Sequence, residues 1–213
     1  MRLFFAIEFK EELKEFLFNI QQDVREHCMG GNFTSKDNFH LTLRFIGEQS
    51  PSQAEQLIAV LKDTAISFKN SINSFKDSEL KLTKKLQPMQ DGGSPEFEIG
   101  VNTFGFQLRL NKIGKFDRGN KKIIWVGLKR SRELENLYNK LENTLLNYGY
   151  SKEDRGFNPH ITLAREVKIE DFEQVVNKIE INTLPINVNA ISLMESKRID
   201  NKLCYVPLMR AEF

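Results

Sequence analysis

The sequence predicts a chain of strands and helices arranged as two homologous lobes about a pseudo-twofold axis. Three observations predict it. The pattern Asn-x-His-[Leu/Ile]-Thr-Leu occurs twice, in "NFHLTLRF" (38–45) and "NPHITLAR" (158–165), so His40 and His160 stand 120 positions apart. The chain holds only three histidines, so two in matching hexapeptides reflect design rather than composition. Around each hexapeptide the same order recurs: apolar strand, amphipathic helix, histidine strand, helix.

The elements follow from local patterning. "RLFFAIEF" (2–9) is a run of bulky apolar residues and reads as a buried strand. Residues 11–27 place Leu13, Phe16, Leu17, Ile20 and Val24 at helical spacing, with Glu11 and Glu12 in the first turn and Gly30-Gly31 as the stop. The strand around His40 comes next. Ser50-Pro51 then supplies an N-cap and a first-turn proline for a helix reaching about Phe68. In the second half, "KIIWVGLK" (122–129) aligns 120 positions after the first strand. A helix follows through Leu134, Leu137, Tyr138, Leu141 and Leu145, then the His160 strand, then a short helix carrying Ile169, Phe172, Val175, Val176 and Ile179. Residues 184–195 and 203–210 read as a closing strand pair around the turn-like "RIDNK". Between the halves, 69–106 is polar and includes the turn-rich "QPMQDGGSPE", which predicts an extended hairpin or a mobile insertion. The whole chain, 1–213, reads as one bilobal domain.

Composition narrows the function classes. Seventeen phenylalanines among 213 residues, at 40% hydrophobic content, suffice for a substantial core. A net charge of +2 excludes a polycation, so contact with nucleic acid has to come from a local patch. Cys28 and Cys204 show no paired spacing, which favours a reducing compartment over a disulfide scaffold. The opening apolar run is too short for a signal peptide, and no run approaches the roughly 20 residues of a membrane span. A cytoplasmic protein is expected, with the sequon Asn32-Phe33-Thr34 idle and no membrane or protein partner implied.

Alternate strand residues share a face, so His40 and Thr42 point one way while Leu41 and Leu43 point the other; His160 and Thr162 stand likewise against Ile161 and Leu163. A single strand histidine is ordinarily structural, whereas this matched pair points to catalysis. Two imidazoles can act as general base and general acid near neutral pH, and two threonine hydroxyls can donate to phosphate oxygens. The histidines lack Asp, Glu or Cys at ligand spacing, so no metal or other cofactor is expected. There is no G-x-S-x-G nucleophile elbow. Metal-free displacement at phosphorus is the chemistry that fits. By alternation Arg44 shares the face of His40, where its guanidinium could bind substrate; Arg165 points away in an ideal strand and needs a bulge to reach it. Between Arg109 and Arg132 stand nine Lys or Arg against the single acid Asp117, with Phe116 placed to stack on a base and Trp125 read as core. His27 reads as a helix-end residue.

The motifs "HLTL" (40–43) and "HITL" (160–163) resemble the paired H-x-T-x signature of the 2H phosphoesterase superfamily. Their contexts "NFHLTLRFIGE" and "FNPHITLAR" are similar to its RNA 2′,3′-cyclic phosphodiesterase branch, once named 2′-5′ RNA ligases. "MRLFFAIEF", "KIIWVGL" and "ISLMESKRIDNKLCYVPL" match that branch too, and the resemblance spans nearly all of the chain outside 69–106. Phe33 departs from the tryptophan common in relatives, which bears on base stacking. The resemblance implies an α+β bilobal fold, with antiparallel sheets flanking a central cleft. It implies hydrolysis of a 2′,3′-cyclic phosphate, on an RNA end or a nucleotide, to a 2′-phosphate. His40 would be the proton donor and His160 the acceptor, with Thr42 and Thr162 on the phosphate and Arg165 binding substrate. The near-symmetric motifs do not themselves say which histidine is the acid. "KFDRG" (115–119) interrupts the K-x-D-G of ATP-dependent ligases with Arg118, and no Walker motif occurs, so ATP-driven ligation is not expected. Two alternatives stand beside the main reading. One is a 2H phosphodiesterase for 2′-5′ oligonucleotides or ADP-ribose cyclic phosphate; the other is a non-catalytic RNA-end-binding module.

Overall fold

The computed structural model describes residues 1–86, 105–181 and 185–213. In chain order the elements are β1 (Arg2–Glu8), α1 (Glu11–Arg25), β2 (Gly30–Phe33), a 3-10 turn (Lys36–Asn38), β3 (His40–Glu48), α2 (Pro51–Leu86), β4 (Phe106–Leu108), β5 (Leu110–Arg118), β6 (Lys121–Leu128), α3 (Arg132–Asn147), β7 (His160–Lys168), α4 (Phe172–Val176), β8 (Ile186–Val188), β9 (Ala190–Ile199) and β10 (Lys202–Glu212). Two antiparallel four-stranded sheets form, ordered β10-β9-β1-β3 and β2-β7-β6-β5, with β4 and β8 as a separate pair. The architecture is α+β and bilobal, and the predicted repeat appears as β1-α1-β3-α2 against β6-α3-β7-α4.

Local chemistry sets the helix starts. Ser50 Oγ accepts from Gln53 N–H while Gln53 Oε1 accepts from Ser50 N–H, a reciprocal capping box at the head of α2. Ser131 and Asp171 cap α3 and α4 through their side-chain oxygens. Asp200 and Asn201 adopt left-handed φ of 49° and 60°, and this two-residue turn joins β9 to β10. One continuous core joins both lobes. Leu3, Phe5 and Ile7 of β1, Leu17, Ile20 and Val24 of α1, Leu57 and Leu61 of α2, and Leu137 and Leu141 of α3 all bury in it. So do Leu41, Leu43, Ile161 and Leu163, which leaves the histidine faces of both sheets turned to the cleft.

The structure corrects the expected helix end. The helix does not stop at Phe68 but continues to Leu86. Residues 69–86 contain no Gly or Pro and hold five Lys and three Leu, so polarity there accompanies adequate helix propensity rather than a hairpin. The rest of the expected hairpin, 87–104, lies outside the described residues. No helix among the described residues is long and apolar enough to cross a membrane.

The strand β2 has no counterpart in the expected order. After α1 the chain crosses to the second lobe, pairs with β7 through Asn32 opposite Arg165 and Phe33 opposite Ala164, then returns as β3. Phe33 thereby faces α1, with the Arg25 guanidinium 4.9 Å from its ring centroid, and not the cleft; this corrects its expected bearing on base stacking. The fully buried Gln21 fastens the crossing. Its Nε2 donates to the main-chain oxygens of Thr34 (2.8 Å) and Leu163 (2.7 Å), one from each half of the chain. Gln21→Ala leaves these buried carbonyls short of a donor, and a loss of about 1–3 kcal/mol is expected. Urea unfolding measures it; a stability within error of wild type would remove Gln21 from this role.

Candidate active site

Each histidine strand carries a β-bulge just after its threonine. In β3, Ala6 opposes Thr42 but Phe5 opposes Arg44, so Leu43 is the extra residue. In β7, Trp125 opposes Thr162 but Ile124 opposes Ala164, so Leu163 is extra. One inserted residue reverses every face beyond it. Arg165 therefore comes round to the cleft side with His160 and Thr162, and its charge bears on both histidines. A second irregularity follows at Glu166, whose φ is 53° and whose carboxylate is held by Asn32 (3.1 Å) and Lys121 (3.4 Å).

The same bulge corrects the expectation for Arg44. It turns away from His40, and its guanidinium meets Glu153 Oε2 (2.7 Å), the Ser151 carbonyl (2.8 Å) and Glu142 Oε1 (3.4 Å). With the arginine side chain 11% exposed and that of Glu142 7% exposed, this is a largely buried clasp that ties β3 to α3 and to the segment leading into β7. The position equivalent to Arg165 is held instead by Phe45, 46% exposed, with the Arg2 guanidinium over its ring.

The two imidazoles are held alike. His40 Nδ1 lies 2.7 Å from the main-chain oxygen of Asn38, and His160 Nδ1 lies 2.7 Å from that of Asn158. Carbonyls only accept, so each Nδ1 carries the proton and each Nε2 is the working nitrogen. Thr42 Oγ1 stands 2.9 Å from His40 Nε2 and donates to it when the ring is neutral. Aromatic rings wall each imidazole. Phe4 and Tyr205 lie 5.0 and 4.9 Å from His40, while Phe116 and Trp125 lie 5.1 and 6.2 Å from His160. Tyr205 and Phe116 meet their histidines edge-on, at 84° and 88°.

Trp125 is not core, as its apolar strand implied. The strand β6 matches β1 at an offset of 119 positions, Trp125 to Ala6, rather than the 120 read from sequence. That single step places the indole on the cleft face. There it lies against Gly114 and Gly127, where any Cβ would fall within 3 Å of the ring.

Burial dominates the electrostatics. It pulls His40 down to about 4, against a smaller upward pull from the Asn38 carbonyl, and the charges of Arg165 and His160 lower it further. His160 is lowered too, first by burial and then by Arg165, with the Asn158 carbonyl opposing. Both rings are neutral at pH 7 without an anion beside them. The arrangement offers two proton-transfer nitrogens, two hydroxyls and one cation on facing lobes. The sequence had singled out His40, Thr42, His160, Thr162, Arg165 and Phe116, and the fold brings these together. It had not singled out Phe4, Tyr205, Phe45 or Asn38; the shared Asn of the two hexapeptides was the visible sign of the last.

The family model described as the 2′-5′ RNA ligase superfamily matches residues 22–200. A Thermotoga maritima protein named RNA 2′,3′-cyclic phosphodiesterase is 26% identical over 214 aligned residues, covering 100% of this chain and 96% of its own. One of the same name from Methanocaldococcus jannaschii is 24% identical over 181, covering 84% and 80%. Among solved structures, E. coli LigT complexed with 3′-AMP matches with a TM-score of 0.64 at 23% identity, covering 99% of this chain and 97% of that one. That last likeness bears on the fold.

The depressed His40 pKa carries a stability consequence. The unfolded chain, with an ordinary imidazole near 6.5, binds more protons than the folded one between about pH 4 and 6.5. Stability from this group is complete above that window and falls as pH drops through it, by up to about 1.4 kcal/mol per pH unit. Chemical unfolding at pH 5 and pH 7 should show the drop, and His40→Gln should reduce it. An unchanged slope in the variant would assign it to other groups.

Proposed function

The chain belongs to the 2′-5′ RNA ligase superfamily, and from that premise we propose that it hydrolyses the 2′,3′-cyclic phosphate of an RNA end or nucleotide to a 2′-phosphate. The carrying observation is the matched pair of imidazoles, each with Nδ1–H donated to a carbonyl two residues back, leaving two Nε2 atoms for proton transfer. The relatives named for this activity support the choice of substrate.

In this reading His160 Nε2 takes a proton from water as the water oxygen bonds to phosphorus. The bond from phosphorus to O3′ breaks, and His40 Nε2–H gives its proton to O3′. His40 has to be protonated first, and the bound phosphodiester anion provides the drive by offsetting burial and the Arg165 charge. Once His40 holds that proton, Thr42 no longer donates to it, so its hydroxyl hydrogen is free for a phosphate oxygen. Thr162 donates to another, and Arg165 balances charge gathering on phosphorus. The direction of transfer has physical support: burial lowers His40 to about 4, making its protonated form the stronger acid. Phe116, edge-on to His160, borders the nucleoside. Arg44 takes no part in phosphate binding here, because two carboxylates already hold it.

Nucleoside 2′,3′-cyclic phosphates should be turned over in EDTA, with a 2′-phosphate seen by phosphorus NMR. A 3′-phosphate, or activity that EDTA abolishes and metal restores, would overturn the mechanism. His40→Ala and His160→Ala should each lower kcat by roughly 10²–10⁴-fold. The pH profile of kcat should be a bell lying at higher pH than that of kcat/KM, because substrate charge raises the histidine pKa values in the complex. Coincident bells would remove the proposed role of substrate charge.

A further inference from the structure

We propose that Asn38 is a positioning residue for the donor histidine, through a side-chain amide that docks the far edge strand beside the imidazole. The proposal rests on the reading of His40 as proton donor. β10 is the outermost strand of its sheet, separated from β3 by β9 and β1, so no backbone pairing connects them. Asn38 makes the connection. It closes the 3-10 turn before β3 and is 8% exposed. Its Nδ2 donates to the Leu203 carbonyl at 2.7 Å, and its Oδ1 accepts from Tyr205 N–H at 3.1 Å.

These two groups are the acceptor and donor that a further strand's backbone would engage on the free edge of β10. The amide therefore stands in for a strand residue. At the same time the Asn38 main-chain oxygen receives His40 Nδ1–H. One residue thus fixes the tautomer of the ring and the position of Tyr205, whose ring lies 4.9 Å from it. In the other lobe Asn158 repeats the main-chain bond in an exposed setting, and among the described residues its side chain anchors no edge strand. Asn38 accordingly separates two otherwise equivalent histidines: one is enclosed by a docked strand and the other is more open.

The test compares Asn38→Ala and Asn38→Asp with wild type by cyclic nucleotide hydrolysis, thermal melting and nitrogen NMR of the imidazoles. Asn38→Ala should lower kcat by about 10²-fold, the scale of a small misplacement of a reacting group, while KM changes little. The His40 nitrogen shifts should move from a single Nδ1–H form to a tautomer mixture. Asn38→Asp, which keeps the acceptor for Tyr205 N–H, should fall between the two in kcat. A lower Tm with wild-type kcat and unchanged His40 shifts would overturn the proposal, leaving Asn38 a structural residue only. If wild type hydrolyses no cyclic phosphate but Asn38→Ala still disturbs the His40 tautomer, the positioning stands and the reaction assigned above falls.

Discussion

Two extra leucines govern the arrangement of the site. Leu43 and Leu163 each interrupt strict strand alternation immediately after an H-x-T motif, and each remains in the core. Because the side-chain period is two, everything beyond them changes sides. That brings Arg165 to the cleft and sends Arg44 into the clasp with Glu142 and Glu153. Without the bulge in β3, Arg44 would turn to the cleft and leave its carboxylates; without the one in β7, Arg165 would turn toward the core. The freed Leu163 carbonyl is satisfied from two directions, by Thr34 N–H and Gln21 Nε2, so the surrounding chain sustains the irregularity.

Around this frame, apolar surface does electrostatic work. Phe4 and Tyr205 on one side and Phe116 and Trp125 on the other exclude water from the imidazoles, which disfavours their charged forms. Main-chain carbonyls pull the other way but do not compensate for burial. The result is a resting pair of neutral bases under the charge of Arg165. An anion suits such a site, so its electrostatics and the charge of the proposed substrate are complementary.

Much of this was legible in the chain. The repeated hexapeptide located the histidine and threonine pairs, and the apolar periodicity located the strands and helices that carry them. Legibility failed where parity or distance in space decided the outcome. Alternation counted from His40 put Arg44 on the wrong face, since a bulge leaves no composition signal. The apolar strand around Trp125 implies core, but the match between β1 and β6 is one residue shorter than that between the histidines, which sets the indole on the cleft face. Polarity across 69–106 predicts a hairpin or an insertion, whereas propensity lets 69–86 continue the helix. Tyr205 and β2 depend on contacts across the molecule that no local window contains.

The crossing strand has one more consequence. β2, just before β3, pairs with β7, and the segment 120 positions later, around Ser151 and Glu153, is gripped from β3 by Arg44. Each half thus lends an arm to the histidine strand of the other. A half-chain expressed by itself would carry an arm with nothing to hold and a strand edge with nothing beside it. Its simplest remedy is a second copy of itself with the arms exchanged, so this chain has the topology of a domain-swapped dimer whose two subunits were joined end to end.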